Sequence, residues 1–256
     1  MKTINKIYSV TIICACLAIL SYSGCSSSTT VSGDESTVTM QSQLAASDVN
    51  RMIVKGDLPS DVTFDSIVVT RVLVFVKDVK LHSDKDDVDS DTHAGTIKTG
   101  PFVLVFDSAG THVVTTTTIP SGTYDKIKFE IHKPNQNDVS DAAVLTQFPE
   151  FENGNQFYTV VIEGYTMAAG VRSYFTVHSS ASKNINLKFK DKDFKDKDNI
   201  VLAGNTTSTL AFEFDPRIVF HLSGDITGTL FDPRDTTHQN DIDNHVIIAV
   251  MVVQVP

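Results

Sequence analysis

This chain of 256 residues contains no tryptophan, and its three cysteines, Cys14, Cys16 and Cys25, all fall near the start. Nothing beyond Cys25 can form an internal disulfide, so stability there must come from a packed apolar core. The missing tryptophan removes the ring that sugar-binding platforms use most, leaving 6 tyrosines and 15 phenylalanines. No apolar run reaches the roughly 20 residues of a membrane-spanning helix. Basic residues are scarce as well, 21 Lys and Arg against 31 Asp and Glu, and the net charge is −10. Such a surface repels nucleic acid and anionic headgroups, which sets nucleic-acid binding aside.

Catalytic signatures are also missing. There is no G-x-S-x-G, P-loop, dinucleotide fingerprint or His-Glu-x-x-His. Ser180-Ala-Ser182-Lys183 and Lys98-Thr99-Gly100 mimic two parts of the penicillin-binding signature, but in reversed order, between predicted strands and without S-D-N. Glu150, Glu152 and Glu163 are single acids with no recognisable partner for paired-carboxylate chemistry. The chain reads as a non-enzyme.

What is present begins at the N-terminus. Lys2 and Lys6 precede an apolar run from Ile7 to Leu20, followed by small residues up to Gly24-Cys25. That is the layout of a secretory signal, and 14 residues are short for a membrane anchor. A cysteine in this position resembles the lipobox of bacterial lipoproteins, although Tyr22 stands where leucine is usual. The resemblance implies cleavage before Cys25, lipidation of its thiol and permanent attachment by several acyl chains, each buried methylene adding about 0.8 kcal/mol. An ordinary export signal cut near Ala18 or after Ser23 is the alternative.

Ser26 to Ser36 is a low-complexity polar stretch suited to a tether, with a reach of about 18 Å as a flexible coil. Residues 1–24 are thus read as a signal peptide, 25–36 as lipidated Cys25 plus tether, and 37–256 as one folded domain. Without residues 1–24, 19 basic side chains face 31 acidic ones. Ser26 is not an Asp-type retention signal, which leans towards the outer membrane of a two-membrane cell; the address is the bacterial cell envelope, with the membrane as partner through the lipid.

Beyond the tether, β-branched and aromatic residues alternate with polar ones between short turns. Ile127, Phe129 and Ile131 alternate with Lys126, Lys128 and Glu130 after the turn Pro120-Ser121-Gly122. Ile185, Leu187 and Phe189 repeat the pattern, as do Leu210, Phe212 and Phe214. Residues 158–167 and 171–179 predict a hairpin around Ala168-Ala169-Gly170, and residues 102–106 and 112–119 another around Ser108-Ala109-Gly110. The continuous apolar centre Val72–Val76 of a long strand predicts burial on both faces. About ten strands at this spacing predict an all-β fold, an antiparallel β-sandwich with Greek-key connections. Short helices are expected near 139–147 and 233–244, the latter opened by Asp232-Pro233 and leading into a final buried strand, with one continuous helix as the alternative.

The run Ile119-Pro-Ser-Gly-Thr-Tyr-Asp-Lys-Ile-Lys-Phe-Glu-Ile131 resembles the turn-and-strand of uncharacterised bacterial lipoproteins of the DUF4382 type. Residues 67–81 and 210–215 fit the same pattern, over about 37–222. The resemblance implies an exported sandwich of transthyretin-like or carbohydrate-binding-like shape and transfers no functional residues.

Three candidate sites remain. Asp84, Asp86, Asp87, Asp89 and Asp91 crowd one loop, where alternate carboxylates could supply the six to eight oxygens that calcium takes. The EF-hand pattern fails there, since Thr92 occupies the glycine position and Lys98 the final carboxylate position. Asp191 to Asp198 repeats the theme with Lys192, Lys195 and Lys197 interleaved, which favours a solvated turn. Phe148, Phe151, Phe157 and Tyr158 crowd a long connection and form the most plausible recognition loop, the alternative being that they cap the core. No cofactor is required, calcium being the one candidate. The function read here is a lipid-anchored envelope protein with a structural or interaction role, its partner an envelope protein or glycan; the alternative is a calcium-assisted glycan-binding module.

Overall fold

The computed structural model describes residues 34–44, 52–53, 64–83, 95–190, 195–221 and 230–255. Extended segments dominate. They are β1 (Glu35–Leu44), β2 (Met52–Ile53), β3 (Ser66–His82), β4 (Gly95–Lys98), β5 (Phe102–Asp107), β6 (His112–Pro120), β7 (Gly122–Tyr124) and β8 (Lys126–Ile131). A helix, α1 (Val139–Gln147), precedes β9 (Glu152–Asn153), β10 (Gln156–Phe157), β11 (Val160–Ala168), β12 (Val171–Ser179) and β13 (Lys183–Lys190). β14 (Asp196–Lys197), β15 (Ile200–Leu202) and β16 (Thr207–Phe214) follow, then α2 (Pro216–Val219), α3 (Gln239–His245) and β17 (Val250–Val255).

The all-β class holds, with few short helices. The arrangement differs from the expected antiparallel sandwich: one large sheet runs in the order β12-β11-β3-β8-β13-β17-β16-β1-β6, with β2, β4 and β5 also on β3. It is mixed, because β1 pairs parallel with β16 and β13 parallel with β17. A period of two records which face is buried and says nothing about the direction of the neighbour, so these pairings leave no local trace. The sheet curls into a half-barrel that brings β1 and β6 up to β5 and β4. Side chains bridge that seam: Ser42 Oγ donates to the Val105 carbonyl at 2.7 Å and Lys98 Nζ to that of Val114 at 3.4 Å.

The inner face holds the main core, with Met40, Phe106, Phe129, Phe189, Phe212 and Phe214 buried in it. Ile127, Phe129 and Ile131 point inward as the alternation predicts. The centre of β3 is buried on both faces, Val72 to Val76 being 0% exposed. Val72, Val74 and Val76 enter the main core, while Leu73 and Phe75 join Val161, Leu145 and Phe151 in a second cluster under α1.

α1 spans the residues expected. Asp138 caps it, accepting from the amides of Ser140 (2.9 Å) and Asp141 (3.2 Å). Asp141 pins the helix to the sheet, accepting from the Asn135 amide at 2.8 Å and meeting His132 Nε2 at 3.0 Å.

The β11–β12 hairpin is as expected, with Ala169 (φ 47°) and Gly170 (φ 80°) in the left-handed region that its tight turn demands. Gly164 sits at a bulge of β11 against β3, where a Cβ would lie 2.2 Å from the Val68 carbonyl oxygen. The second expected hairpin is not one. β5 pairs with β3 and β6 with β1, and only an Asp107–Gly110 bridge joins the two around the turn. In the tail a 3₁₀ turn (Thr236–His238) and α3 lead into buried β17. Its cap is Asp235, which accepts from the Thr237 amide at 2.9 Å, rather than Asp232.

Candidate ligand-binding cleft

β12 ends the sheet, with β11 as its ladder partner and its other edge turned towards the C-terminal segment. Its residues 172, 174, 176 and 178 alternate with Phe175 and Val177, which are buried. The odd-numbered backbone groups face β11: the Ser179 carbonyl accepts from the Thr159 amide at 2.7 Å. Even-numbered groups therefore face the open edge. Gln239 on α3 meets one of them, its Nε2 donating to the His178 carbonyl at 2.7 Å. Ile242 of α3 is buried in the main core, which fixes this segment beside the edge.

A cleft of about 670 Å³ opens between the β12 edge, residues 155–158 and residues 233–243. The chain reaches it from Phe151, whose carbonyl accepts from the Tyr158 amide at 2.9 Å. Tyr158 and His178 lie together there, ring centroids 4.2 Å apart and planes inclined by 30°. The Tyr158 hydroxyl donates to Gln156 Oε1 at 2.9 Å. Burial holds the His178 imidazole below its usual value of 6.5, against the opposing field of Glu163.

The acidic groups on the rim and Arg234 are already committed. Arg234 Nε donates to Asp232 Oδ1 at 2.8 Å and Nη2 to Oδ2 at 2.5 Å. Burial pushes the Asp232 carboxyl up, but these bonds outweigh it and the pKa ends below the ordinary value; Arg234 is raised in turn by Asp232. Asp235 is lowered by its bond to the Thr237 amide. Asp243 Oδ1 accepts from Gln239 Nε2 at 3.0 Å, and Lys133 completes the rim.

Two residues of the expected recognition loop, Phe157 and Tyr158, line this cleft. The other two do not. Phe148 lines a separate groove of about 400 Å³ with Val103, Val105 and Val144, between α1 and the seam. Phe151 is 0% exposed and packs edge-on to Phe75 at 5.4 Å, so it is a core residue. The alternation of β3 explains this, because its outward-facing Leu73 and Phe75 need a cover. Cys25 and Asp84, Asp86, Asp87, Asp89 and Asp91 lie outside the described residues. Within the described residues no three His, Cys, Asp or Glu side chains form a metal site. Asp196 of the second acidic loop pairs with Lys190.

His178, Gln239 and Arg234 were not singled out by residue type or spacing. One signal does point at Arg234. Phe-Asp-Pro-Arg occurs twice, at 214–217 and 231–234, and both copies fold alike. Asp215 accepts from the Arg217 amide (3.0 Å) and Nε (2.9 Å); Asp232 accepts from the Arg234 amide at 2.9 Å. In the first copy Asp215 is buried and caps α2, whereas the second sets its arginine on the cleft rim.

Fold and site together define an all-β protein, a curled mixed sheet with an aromatic-floored cleft at its free edge. No described helix is long and apolar enough to cross a membrane. The chain belongs to the family described as Domain of unknown function (DUF4382), whose model matches residues 59–233. No curated protein matches it significantly. Among solved structures it is similar to MbnP from Methylosinus trichosporium, at 13% identity and TM-score 0.41, covering 73% of this chain and 77% of that one. A point mutant of Acinetobacter radioresistens catechol 1,2 dioxygenase follows at 10% identity and TM-score 0.16, covering 87% and 50%. At these values neither carries an argument about what this chain does.

Proposed function

We propose that this is a lipid-anchored protein of the bacterial cell envelope, held through Cys25, whose folded part is a non-catalytic binding module. The ligand enters the cleft at the β12 edge. The Tyr158–His178 pair carries this reading: two half-exposed rings, one offering an apolar face and a polar tip, at the base of a cleft rimmed by Asn155, Gln156, Gln239 and Asp243. Rings beside amides and carboxylates suit a polyhydroxylated ligand such as a glycan of the envelope. The charged rim groups support binding over catalysis, since Asp232 and Asp235 are held below the ordinary carboxylate range and so carry no proton to donate near neutral pH.

Calorimetric titration of the purified protein with chitobiose and cellobiose tests the reading. Saturable binding that is lost in Tyr158→Ala is expected. Heat unaffected by that substitution would place the ligand elsewhere. Binding that vanishes with a calcium chelator and returns with calcium would shift the site to the Asp84–Asp91 loop, and Asp87→Ala with Asp89→Ala would then abolish it.

A further inference from the structure

We infer that the cleft is one end of a longer site, and that the outer face of the β11–β12 hairpin takes an extended, uncharged glycan chain. The inference rests on the cleft reading and adds a second platform to it.

Strand geometry puts Arg172, Tyr174, Thr176 and His178 on one face of β12. Directly across the ladder, Tyr165 is the partner of Tyr174, and Glu163 the partner of Thr176. Cross-strand partners share a face, so these six side chains form one surface. Phe175 and Val177 point the other way into the core and hold the strand in that orientation.

Tyr174 is 73% exposed. Its ring lies 5.7 Å from that of Tyr165, planes inclined by 65°, and the Arg172 guanidinium sits over the Tyr165 ring at 4.6 Å. The pair is therefore a held platform at the far end of the hairpin, not a loose side chain. From Tyr174 to His178 is four residues, or about 14 Å at about 3.4 Å per residue. Two aromatic platforms thus lie about 14 Å apart along one strand.

Between them stand the Thr176 hydroxyl and the Glu163 carboxylate, the latter 3.6 Å from Arg71. The centre of a protein interface is depleted in acidic side chains, whereas this surface sets Glu163 between its rings. A chain of sugar rings offers the matching alternation, apolar faces separated by hydroxyls. Charge asks for no ionic ligand. Arg172 stands with Glu163 on the sheet face, and Lys133 and Arg234 stand with Asp235 and Asp243 at the cleft. Two platforms spaced along one face of a single strand favour an extended chain over a branched or coiled one.

Calorimetry with chitohexaose and cellohexaose beside their disaccharides tests this. The wild type is expected to bind at least one hexasaccharide roughly three- to tenfold more tightly than its disaccharide, the value of one additional aromatic contact. In Tyr174→Ala and in Tyr165→Ala that ratio falls to about one. Tyr174 is exposed enough that thermal unfolding of Tyr174→Ala stays at the wild-type midpoint, which separates lost binding from lost fold. Equal affinities for hexamer and dimer in the wild type, or a ratio that survives both substitutions, overturn the extended site while leaving the cleft reading in place. No binding of any of the four sugars overturns both.

Discussion

The ring of Tyr158 lies against that of His178, 4.2 Å between centroids, and the imidazole is held below its ordinary pKa by the burial this contact contributes to. His178 also carries the carbonyl that Gln239 reaches across the cleft. One residue thus joins the sheet edge, the aromatic floor and the C-terminal segment.

The folded protein resists protonating His178, so the unfolded chain takes the proton first. Stability from this residue is fully present above 6.5 and is lost as pH falls below it. Tyr158→Ala exposes the imidazole and moves its titration up towards 6.5. An NMR titration of the His178 ring protons reads both values, and identical curves in the two proteins would contradict the contact.

Glu213 gives the opposite sign. It is 6% exposed, accepts from Gln43 Nε2 at 2.7 Å, and its carboxyl is raised above 4.5 by burial, with the Gln43 bond opposing. A raised folded value means the favourable state is the protonated one: stability is present below 4.5 and lost as pH rises through the folded value. Glu213→Gln keeps an oxygen for Gln43 and removes the buried charge. Its thermal midpoint is expected above the wild type at pH 7, with the difference closing in acid.

Phe151 and Phe148 separate core from surface within one connection. Phe151→Ala opens a cavity against Phe75 and costs about 3–5 kcal/mol. Phe148→Ala removes a half-buried ring and costs about 1 kcal/mol. Urea unfolding of the two variants checks the ranking, and equal losses would contradict the placement of Phe151.

Lipidation at Cys25 predicts a mature N-terminus beginning at that residue, with acyl mass on its thiol and amine. Cys25→Ser is expected to release the protein from the membrane fraction. An unmodified cysteine in the intact protein, or a chain starting elsewhere, would end the anchored reading.

Much of this fold was legible because burial writes itself into local alternation. Ile127, Phe129 and Ile131, the doubly buried run at Val72 to Val76, α1 over 139–147 and the turn at Ala169-Gly170 were each visible from their own residues. Parallel pairing of β1 with β16 was not, since it joins residues such as Thr37 and Thr207 whose alternation suits either direction. The apparent β5–β6 hairpin failed for a related reason: a turn at Ser108-Ala109-Gly110 reverses the chain without choosing the neighbour. At the site, Phe157 and Tyr158 were legible as aromatics crowding a polar connection. Gln239 and His178 were not, because only the folded chain sets α3 beside the β12 edge.

The most direct test of the account is a ¹H–¹⁵N correlation map of the labelled protein titrated with chitohexaose. A glycan seated in the cleft and along the hairpin shifts signals concentrated at Asn155 to Tyr158, Thr176 to Ser180 and Arg234 to Asp243, continuing along β12 to Arg172. Shifts confined to the groove beside Phe148, or a spectrum that does not move, would contradict it.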